Sequence, residues 1–339
     1  MPLLPDDPAR HLRAVLCRWR ALAAVVLAAA GICGPAAAAE SLRIAASRSP
    51  VSLPLYVALR RGFFHDEGLD VAIEDCIGGQ RCLRRLVDGK ADVATSSEMP
   101  LVLRSFERGD LAAIATITNA SDNLKLIARK ASGVVHGEQL EGKRIGVITG
   151  TAAQYLLETH LLAVGVDPRK VTMVPMQPEE VNAALRSARV DAAAVWEPYG
   201  YEALHGDDPP GVRLPLAGGY IETYNLVADR ALFGVRDATL VRLLRAVERA
   251  ESFIQSDPAE AQAILMQRLA LDRHFIDWVW HGLAFRMSLD QSLLTTMESE
   301  ARWAQREGHV APGARINVLT LVYPGPLKSV KPTAIGTGN

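Results

Sequence analysis

Two glutamates stand at matching places in this chain, and their carboxyl groups set the first chemical question. Glu98 lies six residues after Asp92 and Glu197 six residues after Asp191, and each is followed within two residues by a proline. A carboxylate in a closed, water-poor cleft costs several kcal/mol unless it is paired. Facing glutamates therefore suit a solute with an ammonium group or several N–H donors. Otherwise they are neutralised by protein groups such as Arg48 or backbone amides, or each caps the helix that follows it. Hydroxyl and backbone donors suited to an oxyanion recur nearby in the pattern: Ser47, Arg48 and Ser49 after one strand-like run, Thr149, Gly150, Thr151 and Ala152 after another. The serines equally fit ordinary helix capping with Arg48 in solvent. Gly79 and Gln80 end a third run, where a tight turn explains the glycine as well as ligand approach does. Ser97 precedes Glu98, while Trp196 and Tyr199 flank Glu197. With Tyr224 these aromatic residues offer an apolar wall to a planar or alkyl group, although Trp196 also reads as a core residue under its loop.

The elements that must position these groups are repeated. Arg43-Ile44-Ala45, Val71-Ala72-Ile73 and Ala91-Asp92-Val93-Ala94 are followed in the same order by Arg144-Ile145-Gly146, Val171-Thr172-Met173 and Val190-Asp191-Ala192-Ala193. Each half reads strand, helix, strand, helix, strand. Such alternation requires right-handed crossovers and a parallel sheet, with ligands bound outside the carboxyl ends of the strands. The fold class is α/β, two doubly wound lobes with a cleft between them. Four amphipathic helices are expected after the repeat, at 237–255, 258–269, 272–285 and 290–307, and then a strap rich in proline and glycine.

With 339 residues, 49% of them hydrophobic, the chain can bury two cores, and a net charge of -1 without a basic stripe argues against nucleic acid. Residues 1–39 read as a signal peptide: Arg10, Arg13, Arg18 and Arg20, the apolar run 21–32, then Ala37-Ala38-Ala39. The mature chain is expected to start near Glu40, exported and not inserted in a membrane. Cys17 and Cys33 leave with that segment. Cys76 and Cys82 remain in an oxidising compartment, where a disulfide or two thiols both fit the spacing. Neither has a CxxC spacing or a histidine partner, so no metal site is expected. GxSxG, GxxxxGK[ST] and HExxH patterns are missing from the sequence, so neither an enzyme nor a cofactor is expected.

The run from Pro54 to Val71 resembles the first helix and second strand of periplasmic solute-binding proteins for nitrate, sulfonate and taurine ABC transporters. Gly89-Lys90-Ala91-Asp92-Val93-Ala94 and Val195-Trp196-Glu197-Pro198-Tyr199 are similar to two further signatures of that group, which has relatives that bind the thiamine pyrimidine precursor. The resemblance implies a type II clamshell with a hinge. One lobe is expected from 40–122 and 233–339 and the other from 123–232, with crossings near 118–122, bringing Thr118 and Asn119 to the cleft, and near 217–225. It implies a monomer that closes on a small organosulfonate (taurine-like) or nitrogenous solute and delivers it to an inner-membrane permease. A pyrimidine-type heterocycle, a sensory partner or an enzyme on the same fold are the alternatives.

Overall fold

The computed structural model describes residues 39–205 and 211–336; the expected signal segment, with Cys17 and Cys33, lies outside the described residues. The first repeat unit folds as β1 (Glu40–Ser47), helix Leu53–Arg60, β2 (Leu69–Cys76), helix Gly78–Val87, β3 (Val93–Ser97) and helix Glu98–Ser105, then β4 (Leu111–Ala120). The chain crosses to β5 (Leu124–Arg129). The second unit gives β6 (Arg144–Val147), helix Ala152–Ala163, β7 (Thr172–Pro175), helix Val181–Arg186 and β8 (Ala192–Trp196), followed by a short β9 (Gly211–Arg213). It returns as β10 (Glu222–Asp229), helices Asp237–Ser256, Pro258–Leu269 and Arg273–Trp280, β11 (Leu283–Ser288) and helix Gln291–Arg306. Among the described residues no helix is long and apolar enough to cross a membrane.

The strands form two sheets with the same inner order, β2-β1-β3-β10 in one and β7-β6-β8-β5 in the other. In each, the first three strands are parallel and the fourth is antiparallel. That fourth strand is the first strand formed after a crossing, so each lobe is completed by chain arriving from the other. The expected boundary at 232 is therefore corrected. Glu222–Asp229 lies between β3 and β4 in the first sheet and is buried along nearly its whole length, a strand covered on both faces and no flexible crossing. The outward crossing is likewise confined to 121–123, since Thr118 and Asn119 are still inside β4. A helix over 272–285 is also corrected. Gly282 interrupts it, packed so close to Asp122 that a Cβ there would meet the Asp122 Cβ at 2.9 Å, and Leu283 then starts β11.

The repeated arginine and aspartate have a structural role at the far ends of the strands. In β1 the Arg43 amide donates to Asp92 Oδ2 at 2.8 Å, and in β6 the Arg144 amide donates to Asp191 Oδ2 at 3.1 Å. Both guanidinium groups clasp the same carboxylates, and the Arg144 hydrogen bond holds the Asp191 carboxyl down to about 2. The C-terminal helices build the core of the first lobe. Trp303 and Ala304 are exceptions: both lie in the second lobe's core, and the Trp303 Nε1 donates to Glu158 Oε2 at 3.0 Å.

Candidate functional site

Both sheets present their strand ends to one cavity. Ser47 and Ser49 come from β1 and the turn after it, Ser97 from β3, Trp196 from β8, and Glu222 and Tyr224 from the start of β10. Two helices, one from each lobe, begin at the same place: Gly79 and Gln80 open Gly78–Val87, and Thr151 and Ala152 open Ala152–Ala163. Neither N-terminus is capped by a side chain, because Ile77 before the first has no polar side-chain atom and the Thr151 hydroxyl before the second donates backwards to the Ile148 carbonyl at 2.6 Å. Free backbone N–H groups and the positive ends of two helices therefore converge on the cavity, a setting that favours an oxyanion. The cavity is small, about 30 Å³, room for roughly two water molecules, so loading a solute requires its walls to part.

The two glycines here serve close approach. A Cβ on Gly78 would lie 3.0 Å from Trp196 Cζ2 across the cleft, and one on Gly79 would lie 2.7 Å from Ser96 Cα. A disulfide between Cys76 and Cys82, Cα–Cα 5.5 Å, ties the end of β2 to the second turn of the helix that carries them. Thr149 and Gly150 miss the inner cavity and line an outer one of about 480 Å³. Gln80 separates the two, its Nε2 reaching the Thr149 carbonyl at 3.4 Å from the opposite lobe.

Arg81 also reaches across the cleft. Its guanidinium donates to Glu179 Oε1 and Gln177 Oε1, both at 2.7 Å. With the two charged side chains 41% and 39% exposed, the pair falls in the class worth about 0–1 kcal/mol. Arg81→Ala is accordingly expected to weaken solute affinity about twofold to fivefold through easier opening, with little change in melting temperature. Titration calorimetry of the variant checks this, and unchanged affinity would show that the latch does not contribute to closure.

Several expected site residues lie elsewhere. Glu98 is fully buried behind the cavity, where Tyr220 donates to Oε1 at 2.6 Å and the Thr223 amide and hydroxyl donate to Oε2 at 3.0 and 2.8 Å. Glu197 is buried in the other lobe. It faces Lys125 Nζ at 3.1 Å and accepts from Trp278 Nε1 and the Tyr201 amide, both at 2.7 Å. The two are equivalent by sequence, and both are consumed by protein donors before any solute arrives. Arg48 turns outward to the Leu269 carbonyl at 3.3 Å. The Thr118 hydroxyl donates to the Val51 carbonyl at 2.7 Å, and neither Thr118 nor Asn119 lines the cavity. Tyr199 stands edge-on to Trp196, ring centroids 6.5 Å apart, outside the cavity wall.

Glu222 takes the place expected of those glutamates. Its carboxyl lines the cavity, accepts from Asn123 Nδ2 at 2.7 Å, and is pushed up to about 8 by burial and then by the charge of nearby Glu98. The period of two along β10 puts Glu222 on the same face as Tyr224, so the tyrosine already pointed to it. Gln177 and Pro178, also at the cavity, follow β7 as Ile77 and Gly78 follow β2. The repeat itself marked that position.

Residues 49–261 match the family described as NMT1/THI5 like. A putative binding protein of Brucella abortus is 24% identical over 221 residues, 64% of this chain and 67% of that one. A putative aliphatic sulfonates-binding protein of Bacillus subtilis is 29% identical over 153 residues, 43% of this chain and 45% of that one. Among solved structures, the alkanesulfonate-binding protein SsuA from Xanthomonas axonopodis pv. citri, bound to MOPS, superposes with TM-score 0.73 at 19% identity, covering 85% of this chain and 100% of that one. The fold is the bilobal α/β periplasmic-binding-protein fold.

Proposed function

The chain belongs to the NMT1/THI5-like family, and from that premise we propose that it is the periplasmic solute-binding component of an ABC importer, closing on a small sulfonate or related oxyanion. The observation that carries this reading is the cavity at the strand ends, walled by both lobes and approached by two uncapped helix N-termini, one per lobe. A solute held by both ends favours the closed form because it touches both walls only there, a shift of population with no chemistry. Ser47, Ser49, Ser97 and Thr151 supply hydroxyls for its oxygens, and Trp196 and Tyr224 supply the apolar flank. The closed clamshell, as a monomer, is what the inner-membrane permease would receive. The sulfonate-binding names of the relatives support this class of solute, and their binding-protein names support a carrier over an enzyme.

A thermal-shift screen of the mature chain with alkanesulfonates, taurine, nitrate and pyrimidines tests the proposal. A solute present at one hundred times its Kd stabilises the folded state by about 2.7 kcal/mol, a shift of several degrees. A silent sulfonate series alongside turnover of any member would replace the carrier by an enzyme. A shift from pyrimidines alone would move the solute class to heterocycles.

A further inference from the structure

Glu222 is a carboxyl group set in the wall of an anion-favouring cavity, and among the described residues no cation pairs it. It is 5% exposed, it accepts a hydrogen bond from the neutral Asn123 amide, and the other polar group that favours its charge, the Ser97 hydroxyl, is neutral too. Arg81, the basic residue of the cavity wall, is already held by Glu179 and Gln177. The charged or titratable groups facing Glu222 are unhelpful to a negative charge: Glu98 from the helix after β3, Glu300 from helix Gln291–Arg306, and Tyr220 and Tyr224 from the return crossing and β10. An acid so placed weakens binding of a bare oxyanion if it is ionised. If it stays protonated, it offers an oxyanion a single O–H. A protonated nitrogen on the solute reverses the balance, because it supplies the missing counter-charge in a site that water barely enters.

We propose that Glu222 is the specificity-determining residue of this cleft, selecting solutes that carry an ammonium group beside their oxyanion over nitrogen-free isosteres. The oxyanion lies at the helix ends and the ammonium at Glu222. This rests on the reading of the cavity as the solute site. A neutral carboxyl that meets an ammonium gives up its proton to the buffer while the ammonium keeps all three of its own. Binding is then accompanied by release of about one proton per solute below pH 8.

The experiment is titration calorimetry of the full mature chain at pH 6.5 in two buffers of different protonation enthalpy. The probes are paired: taurine with propane-1-sulfonate, and β-alanine with butanoate. The expected result is that an ammonium probe binds at least tenfold more tightly than its isostere and releases a proton that the isostere does not. Glu222→Gln should weaken the ammonium probe at least tenfold and narrow the gap between each ammonium probe and its isostere to less than about threefold. Isosteres that bind as tightly as their ammonium partners, or ammonium binding without proton release, would overturn the assignment while leaving the cavity as the solute site. Silence of all four probes would sink the oxyanion reading and this assignment with it. The proton count is made on the wild-type chain, so the test stands even if the variant folds poorly.

Discussion

Replacing Lys125 by methionine is expected to lower the stability of the folded chain by about 3–5 kcal/mol. Lys125 is fully buried, with Nζ 3.1 Å from Glu197 Oε1 and 3.3 Å from Asp122 Oδ1. It also donates to the Asp122 carbonyl and lies 5.6 Å from the centre of the Trp278 ring. Methionine fills much the same volume, so the loss is electrostatic: Glu197, 1% exposed, keeps neutral donors from Trp278 and Tyr201 but no cation. Lys125→Met combined with Glu197→Gln removes both charges, and the double variant should recover at least half of the loss. Urea unfolding at pH 7 with an unchanged slope reads the difference. A loss below about 1 kcal/mol in the single variant would mean that water solvates the carboxylate left behind and the pair is not a buried one. The same contacts give Glu197 its role. Trp278 belongs to the C-terminal helices, so Glu197 fastens the end of a second-lobe strand to helices built on the first.

The repeat was legible because local rules generate it. Apolar strand runs, glycine stops and the Arg43–Asp92 and Arg144–Asp191 pairs lie at constant spacing, and parallel β-α-β units translate that spacing directly into two sheets. What local rules do not carry is which lobe a strand joins after a crossing. Glu222–Asp229 follows the second unit in sequence, yet both its edges are paired by β3 and β4 of the first. The glutamates failed for a related reason. Position at a strand end brings Glu98 and Glu197 near the cleft, but the direction of each side chain is decided by Tyr220, Thr223, Lys125 and Trp278, residues distant in sequence. Ser47, Ser49, Gly79 and Thr151 do line the cavity, because the backbone turn at each strand end places them there, whereas Thr118 and Thr149 do not.

Raising the pH from 6.5 to 8.5 is expected to destabilise the folded chain by at least about 2 kcal/mol, opposite to the gain that a protein held by paired carboxylates shows on leaving acid. The cause is a surplus of buried acid. Tyr220 places its hydroxyl 2.6 Å from Glu98 Oε1 and 3.2 Å from Glu300 Oε1, and Glu300 Oε2 has no partner among the described residues. Two oxygen–oxygen hydrogen bonds need two protons, and the tyrosine brings one, so a carboxyl must hold the other. Burial accordingly raises Glu98 and carries Glu300 well above the ordinary range, with the Glu98 charge adding to the shift at Glu300. Glu222, pushed up to about 8 by burial and then by Glu98, completes the cluster. Each of these groups keeps its proton longer in the folded chain than in the unfolded one. Their stabilisation is full below the unfolded value, near 4.5, and is lost as pH rises towards the folded values. Buried His160, shifted down by desolvation, acts in the opposite sense but only below its ordinary 6.5, and Asp167 and Asp191, held at about 2, stay ionised throughout the window. Urea unfolding at the two pH values measures the effect. Glu300→Gln should flatten it and stabilise the chain at pH 8.5, because an amide still offers Tyr220 a partner and has no charge to bury. Stability that is level or rising across the window would mean that the three carboxyl groups are ionised and solvated in the folded chain, and the proton shared through Tyr220 would have to be abandoned.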